Sequence, residues 1–184
     1  MKTIFALLLI SFISLPFVSF AQLDVFVKYT EDGSITPDIN YYGSKKISEK
    51  VSLTYFGLIE KTWGEALVGV SYTPVKYLSI GTMVGIEHGS DKPRYFGSVW
   101  TGKGNTSLLL MAEKGKGSDN YWYRANLYQK LSDEFTLGVT AWRFNGVGPN
   151  LRYTVKKSVT VWAMPAYDVE FKQTKVMLGV NIPM

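Results

Sequence analysis

The stretch EHGSD at residues 87–91 gathers Glu87, the chain's single histidine His88, Ser90 and Asp91 within one short segment. A serine nucleophile, a histidine base and an orienting carboxylate are the parts of acyl-transfer or ester-hydrolysis chemistry. The spacing speaks against that assembly, because adjacent loop residues seldom meet in hydrogen-bond geometry and Gly, Ser and Asp are ordinary turn formers. A second set of polar and aromatic residues is dispersed through the chain: Glu65, Glu87, Arg94, Glu113, Arg124, Asn126, Trp142, Arg152, Trp162 and Asp168, with Lys28 and Asp24 as further candidates. Charges of both signs on one face suit either ion pairs that fill an interior or a narrow passage whose lining biases which ions enter. Trp100, Trp122, Trp142 and Trp162 share that face, where filling space is the favoured role over forming an aromatic slide for a solute.

Other chemistries lack their residues. With one histidine and no cysteine the usual zinc arrangements are missing. GVGPN at 146–150 does not have the spacing or following helix of a dinucleotide loop, and TGKGNTS at 101–107 lacks the spacing of a phosphate-cradling loop. No cofactor is expected. The net charge of +5 is spread over turns and not gathered in a stripe, which argues against nucleic acid.

The elements that carry these residues read as strands throughout. Period-two alternation rich in Val, Tyr, Thr, Phe and Trp predicts strands near 23–30, 36–44, 50–59, 64–73, 77–87, 94–100, 106–113, 121–130, 134–144, 148–154, 158–167 and 173–182. That is about twelve, with ten as the near alternative, and an even number places both chain ends on one side of a closed meander. Pro37 marks the second segment as a candidate irregular lead-in. KISEKVSL at 46–53 and KLSDEFTL at 130–137 match position by position in chemical type, which predicts a shared hairpin turn. At the start, Met1 and Lys2 followed by an apolar run and a small-residue SFA end at 19–21 have the layout of a cleaved secretory leader, so the mature protein is expected to begin near Gln22.

The two faces of these strands decide the environment. In FTLGVTAWRF at 135–144, Phe135, Leu137, Val139 and Ala141 alternate with Thr136, Gly138, Thr140 and Trp142. The first face is apolar along nearly every strand, with Thr82 and Arg143 as scattered exceptions. The second is polar but small, glycine-rich and studded with large aromatics. A soluble lipocalin-like barrel would cover its outer face with Lys and Glu; here lysines concentrate in turns, among them Lys45, Lys46, Lys50, Lys76, Lys103 and Lys130. The apolar face is therefore expected to meet lipid and the small polar face a confined wet lumen, with tyrosines from the set Tyr29, Tyr41, Tyr55, Tyr72, Tyr77, Tyr121, Tyr123 and Tyr153 at the interfaces.

The leader, the even series of short amphipathic strands, the tyrosines near strand ends and the Ser-Asp/Glu turns resemble small porin-like outer-membrane β-barrel proteins of Gram-negative bacteria. The resemblance implies a closed antiparallel up-and-down transmembrane barrel over residues 22–184 and a non-enzymatic role as a small pore or membrane scaffold. Its implied partners are outer-membrane lipids, the barrel assembly machinery, and small solutes or ions. A lipid-modifying acyltransferase or esterase on the same fold, and a soluble lipocalin-like binder, are the alternatives. One departure stands out: such proteins commonly end in an aromatic residue that aids assembly, whereas this chain ends GVNIPM.

Overall fold

A computed structural model describes residues 20–155 and 159–184. The expected leader lies outside the described residues, apart from Phe20 and Ala21, which open the first strand. Among the described residues there are twelve strands: β1 (Phe20–Thr30), β2 (Ile35–Lys46), β3 (Val51–Glu60), β4 (Gly64–Val75), β5 (Leu78–Glu87), β6 (Arg94–Lys103), β7 (Thr106–Lys114), β8 (Tyr121–Lys130), β9 (Phe135–Trp142), β10 (Gly146–Val155), β11 (Val159–Asp168) and β12 (Gln173–Pro183). Each pairs antiparallel with its sequence neighbours, and β1 pairs with β12 from Gln22↔Pro183 to Thr30↔Lys175, so the sheet closes on itself. Closure leaves no sheet edge, which is the condition for a sheet to stand in hydrocarbon.

The barrel is inside-out relative to a soluble protein. On β9, Val139 is 53 % exposed while its neighbour Thr140 is 0 % exposed. On β12, Leu178 is 53 % exposed and Met177 0 %. Thr82, a polar exception on the outer face, donates its hydroxyl to the Phe96 carbonyl at 3.2 Å and so hides its hydrogen-bonding capacity from lipid. Outward tyrosines gather near both ends of the wall, Tyr29, Tyr95, Tyr121 and Tyr167 at one and Tyr72, Tyr77 and Tyr153 at the other. There a phenol keeps its ring in apolar surroundings and its hydroxyl wet. Tyr41 and Tyr55 depart from this pattern: both are buried and stack on each other at 5.8 Å.

The end that carries the termini, called here the terminal end, has the turns β2–β3, β4–β5, β6–β7 and β8–β9. The two echoing sequences make the same turn bond for bond. The amides of Ile47 and Ser48 donate to the Val51 carbonyl, and those of Leu131 and Ser132 to the Phe135 carbonyl. The Ser48 hydroxyl accepts from Lys50 and Val51, and the Ser132 hydroxyl from Glu134 and Phe135. The opposite, distal end carries the connections β1–β2, β3–β4, β5–β6, β7–β8, β9–β10 and β11–β12. In the β1–β2 turn the Thr30 hydroxyl and the Ser34 amide hold the Asp32 carboxyl down at about 2.

The prolines mark local irregularities. Pro37 lies inside β2, opposite Val27, one residue beyond the point where pairing with β3 begins at Asp38↔Glu60. A lead-in that looked irregular is therefore a regular strand with its proline past the two-sided ladder. Pro74 sits at the register shift between Tyr72 and Val75. In the β10–β11 pair the ladder runs through Val147↔Tyr167 and resumes at Leu151↔Ala163, which sets Pro149 and Pro165 opposite each other in the interval. Neither has an N–H to donate, so this seam lacks the bonds an ordinary pair would exchange.

Candidate functional site

Alternation along the strands delivers the site: every second residue points into the lumen, and the register decides which meet. At the distal end Arg94 opens β6, Glu87 closes β5, Glu65 lies near the start of β4 and Glu113 near the end of β7. The Arg94 Nε lies 2.6 Å from a Glu113 oxygen and 2.7 Å from a Glu65 oxygen, and one Nη donates to Glu87 at 2.7 Å and to Asn120 at 2.8 Å. Asn120 in turn donates to Glu87 at 2.7 Å. Three buried carboxylates thus converge on one guanidinium, which also lies over the Trp63 ring. Beside them Lys28 pairs with Glu60 and stands 3.8 Å from Asp38.

A latch joins three distal connections next to this rim. Arg143, in the β9–β10 turn, bonds Asp119 at 2.6 Å and Glu170 at 3.1 Å and lies 3.6 Å from the Tyr121 ring centroid. Those charged hydrogen bonds hold its guanidinium above the usual arginine value despite the opposing effect of burial. Arg143, an exception on the apolar face in the sequence, is therefore a tie between loops. Asp168 works close by. One oxygen accepts from the Glu170 and Phe171 amides in the β11–β12 turn and the other from Lys175 at 2.7 Å.

Deeper in, an aromatic mass fills one side. Phe26 lies between Trp142 and Trp162, with centroids 5.4 Å and 5.3 Å away, and Met164, Met177 and Ala166 complete the cluster. Trp122 meets Trp142 edge-on at 6.3 Å. The Trp162 indole lies against Gly179 of the neighbouring strand, where a Cβ would collide with it, and donates to Asp24 at 2.9 Å. Around this mass runs a polar seam. Arg124 donates to the Asn126 side-chain oxygen at 3.1 Å, the Thr140 hydroxyl donates to the same oxygen at 2.9 Å, and Asn150 donates to that hydroxyl at 3.2 Å. Arg124 also sits 4.0 Å from the Trp142 ring centroid, and Arg152 reaches the Tyr128 hydroxyl at 3.4 Å. Among the described residues neither Arg124 nor Arg152 forms an ion pair with a carboxylate.

What remains open is a cavity of about 1120 Å³. Its lining reaches from Gln22, Ser79 and Trp100 near the terminal end to Thr30, Glu60 and Phe171 at the distal end. Of the residues singled out in the sequence, Glu65, Arg94, Glu113, Arg124, Asn126, Trp142 and Arg152 line this cavity. Glu87 is buried behind Arg94, Trp162 is packed in the aromatic mass, and Asp168 caps its turn. Sequence reasoning missed the apolar stretch of the wall, formed by Phe56, Leu58, Met83, Phe96, Leu109 and Met111. Alternation marks its residues as inward, since Phe56 and Leu58 share parity with Ser52 and Thr54 on β3, but does not bring the four strands' contributions together. The loop serine is spent locally: the Ser90 hydroxyl accepts from the Lys92 amide at 3.1 Å, and among the described residues no hydrogen bond joins it to His88.

No protein-family model matches the sequence, and no curated protein matches it. Solved structures do match. A KdgM porin superposes with a TM-score of 0.60 at 15 % identity, over 88 % of this chain and 98 % of that one. The outer-membrane protein Omp33 of Acinetobacter baumannii gives 0.57 at 8 % identity, over 91 % and 99 %. The NanC porin gives 0.56 at 10 % identity, over 87 % and 98 %. The twelve-stranded closed barrel described here is thus the fold of small outer-membrane porins.

Proposed function

We propose that this chain is a narrow outer-membrane channel for small charged solutes, exported through a leader at residues 1–21. The observation that carries the reading is a cavity lined by residues from both ends of the barrel, bounded outside by an apolar band suited to lipid. In this reading the Arg94 cluster and the Lys28 pair narrow the distal mouth and make it acidic. Arg124 and Arg152 face the interior alongside Asp24 and Asp38, while Asn126, Trp142 and Trp162 shape the bore. One structure of KdgM holds disordered oligogalacturonate, an acidic saccharide. Two lumenal arginines that form no ion pair among the described residues favour anionic solutes here as well. The partners of such a channel are the surrounding outer-membrane lipids and the machinery that inserts barrels.

The test is electrical. Purified protein whose fold is verified by heat-modifiable electrophoretic mobility is added to a planar bilayer in potassium chloride. Discrete conductance steps are expected, and an unbroken seal at high concentrations of folded protein would overturn the proposal.

A further inference from the structure

We infer that the lumen selects amphipathic monoanions, that is, solutes in which one carboxylate is carried on an aryl or short alkyl body. The inference rests on reading the lumen as a solute passage and deepens it. Phe56, Leu58, Met83, Phe96, Leu109 and Met111, from β3, β5, β6 and β7, line one side of the cavity. The register places polar groups directly beside this apolar stretch: Met111 is paired with Arg124, Leu109 with Asn126, and Leu58 with Asn40. A solute at this level therefore meets hydrocarbon on one flank and a guanidinium with amides on the other.

The charge at this level is also specific. Lys28 and Arg94 are engaged by carboxylates at the mouth. Deeper in, Arg124 and Arg152 face the cavity together with two carboxylates: Asp24, which accepts the Trp162 indole hydrogen bond, and Asp38, which stands 3.8 Å from Lys28. Neither guanidinium is ion-paired with a carboxylate among the described residues, and Arg124, paired across the strands with Met111, is placed to meet a single anionic group beside the apolar flank. A saccharide would lose water from its hydroxyls along the apolar flank without new partners, which is unfavourable. A simple inorganic ion would gain nothing from that flank, whereas an aryl or alkyl body would bury apolar surface against it.

The experiment measures binding to the whole folded barrel in detergent through its tryptophan fluorescence, since Trp100, Trp122 and Trp142 line the cavity. The probes are 3-phenylpropionate, glucuronate as a polar acid of equal charge, and 3-phenylpropanol as the uncharged analogue. At least a roughly tenfold tighter dissociation constant is expected for 3-phenylpropionate than for either comparator. Met111→Gln and Phe96→Ser, each checked for heat-modifiable mobility, should remove the preference for 3-phenylpropionate over glucuronate. Arg124→Gln should abolish the preference for the acid over the alcohol. Equal or tighter binding of glucuronate, or full preference retained in all three variants, would overturn the inference. The two readings fail separately: a barrel that discriminates these probes without conducting defeats only the channel, and one that conducts without discriminating defeats only the selectivity.

Discussion

The two sides of the barrel solve the problem of standing in a membrane differently. From β3 to β7 the ladders run unbroken except for the shift at Pro74, and most inward side chains of this wall, buried Leu67 and Glu87 apart, face open cavity. From β9 through β12 to β1 the wall is thick. Phe26, Trp142, Trp162, Met164 and Met177 pack behind it, and its β10–β11 ladder is interrupted where Pro149 meets Pro165. Met164 and Asn150, the inward neighbours of those two prolines, are both 0 % exposed. The difference teaches that backbone pairing and side-chain packing substitute for one another. Where hydrogen bonds close the wall, the interior can be left open for a solute, and where they are missing a filled interior supports the strands.

Truncation of an inward phenylalanine on each side breaks the comparison most directly. Phe26→Ala removes a ring that is 1 % exposed and held between two indoles, and should cost about 3–5 kcal/mol, the range for phenylalanine truncation in a packed core. Phe96→Ala removes a ring that borders the cavity and should cost at most about 1–2 kcal/mol, because its loss merges with existing open space. Urea unfolding of each variant in vesicles measures both. Equal losses would show that the thin wall depends on packing after all.

The thin wall has one strong point of its own, at its rim. Arg94→Met leaves Glu65, Glu87 and Glu113 without the guanidinium that neutralises them, and should destabilise the barrel by roughly 3 kcal/mol, as removal of one partner from a buried ion pair does. The same variant should widen the mouth, so single-channel conductance should rise while the urea midpoint falls. A fall in stability without any change in conductance would detach the Arg94 cluster from the passage.

Much of this division was legible in the sequence and part of it was not. Strand positions, the outward apolar band and the shared turn of Ser48 and Ser132 follow from local alternation and turn chemistry, which a single chain segment specifies by itself. Glu65, Arg94 and Glu113 were recognisable as inward residues for the same reason. That they meet at one point depends on register across β4 to β7, which is set by pairing between segments and by a bulge at Pro74. The sidedness of the lumen was hidden for a further reason. Inward Phe56, Leu58 and Met83 look, residue by residue, like ordinary strand formers, and only the closed circle shows that they stand together while Phe26 and Trp162 crowd elsewhere. The pairing of Pro149 with Pro165 is likewise a fact of register.

That proline pair gives the finest test. Both lie on the lipid face of β10 and β11, both lack an N–H, and the strand approaches closely here: a Cβ on Gly148 would collide with the Pro165 carbonyl. Replacing both prolines with valine supplies two amide donors aimed across the seam, at about 1 kcal/mol of net stabilisation for each bond formed. Loss of proline's restraint on the unfolded chain offsets this by about 0.4–1 kcal/mol at each site, so the net change in the unfolding midpoint should be small. Hydrogen exchange separates the two contributions, because it reads the new bonds and not the unfolded chain. The valine amides at 149 and 165 should become protected to the level of the neighbouring Leu151 and Ala163 amides. If they exchange freely instead, the seam is held apart by the filled interior behind it, and packing, not the missing donors, sets the spacing of β10 and β11.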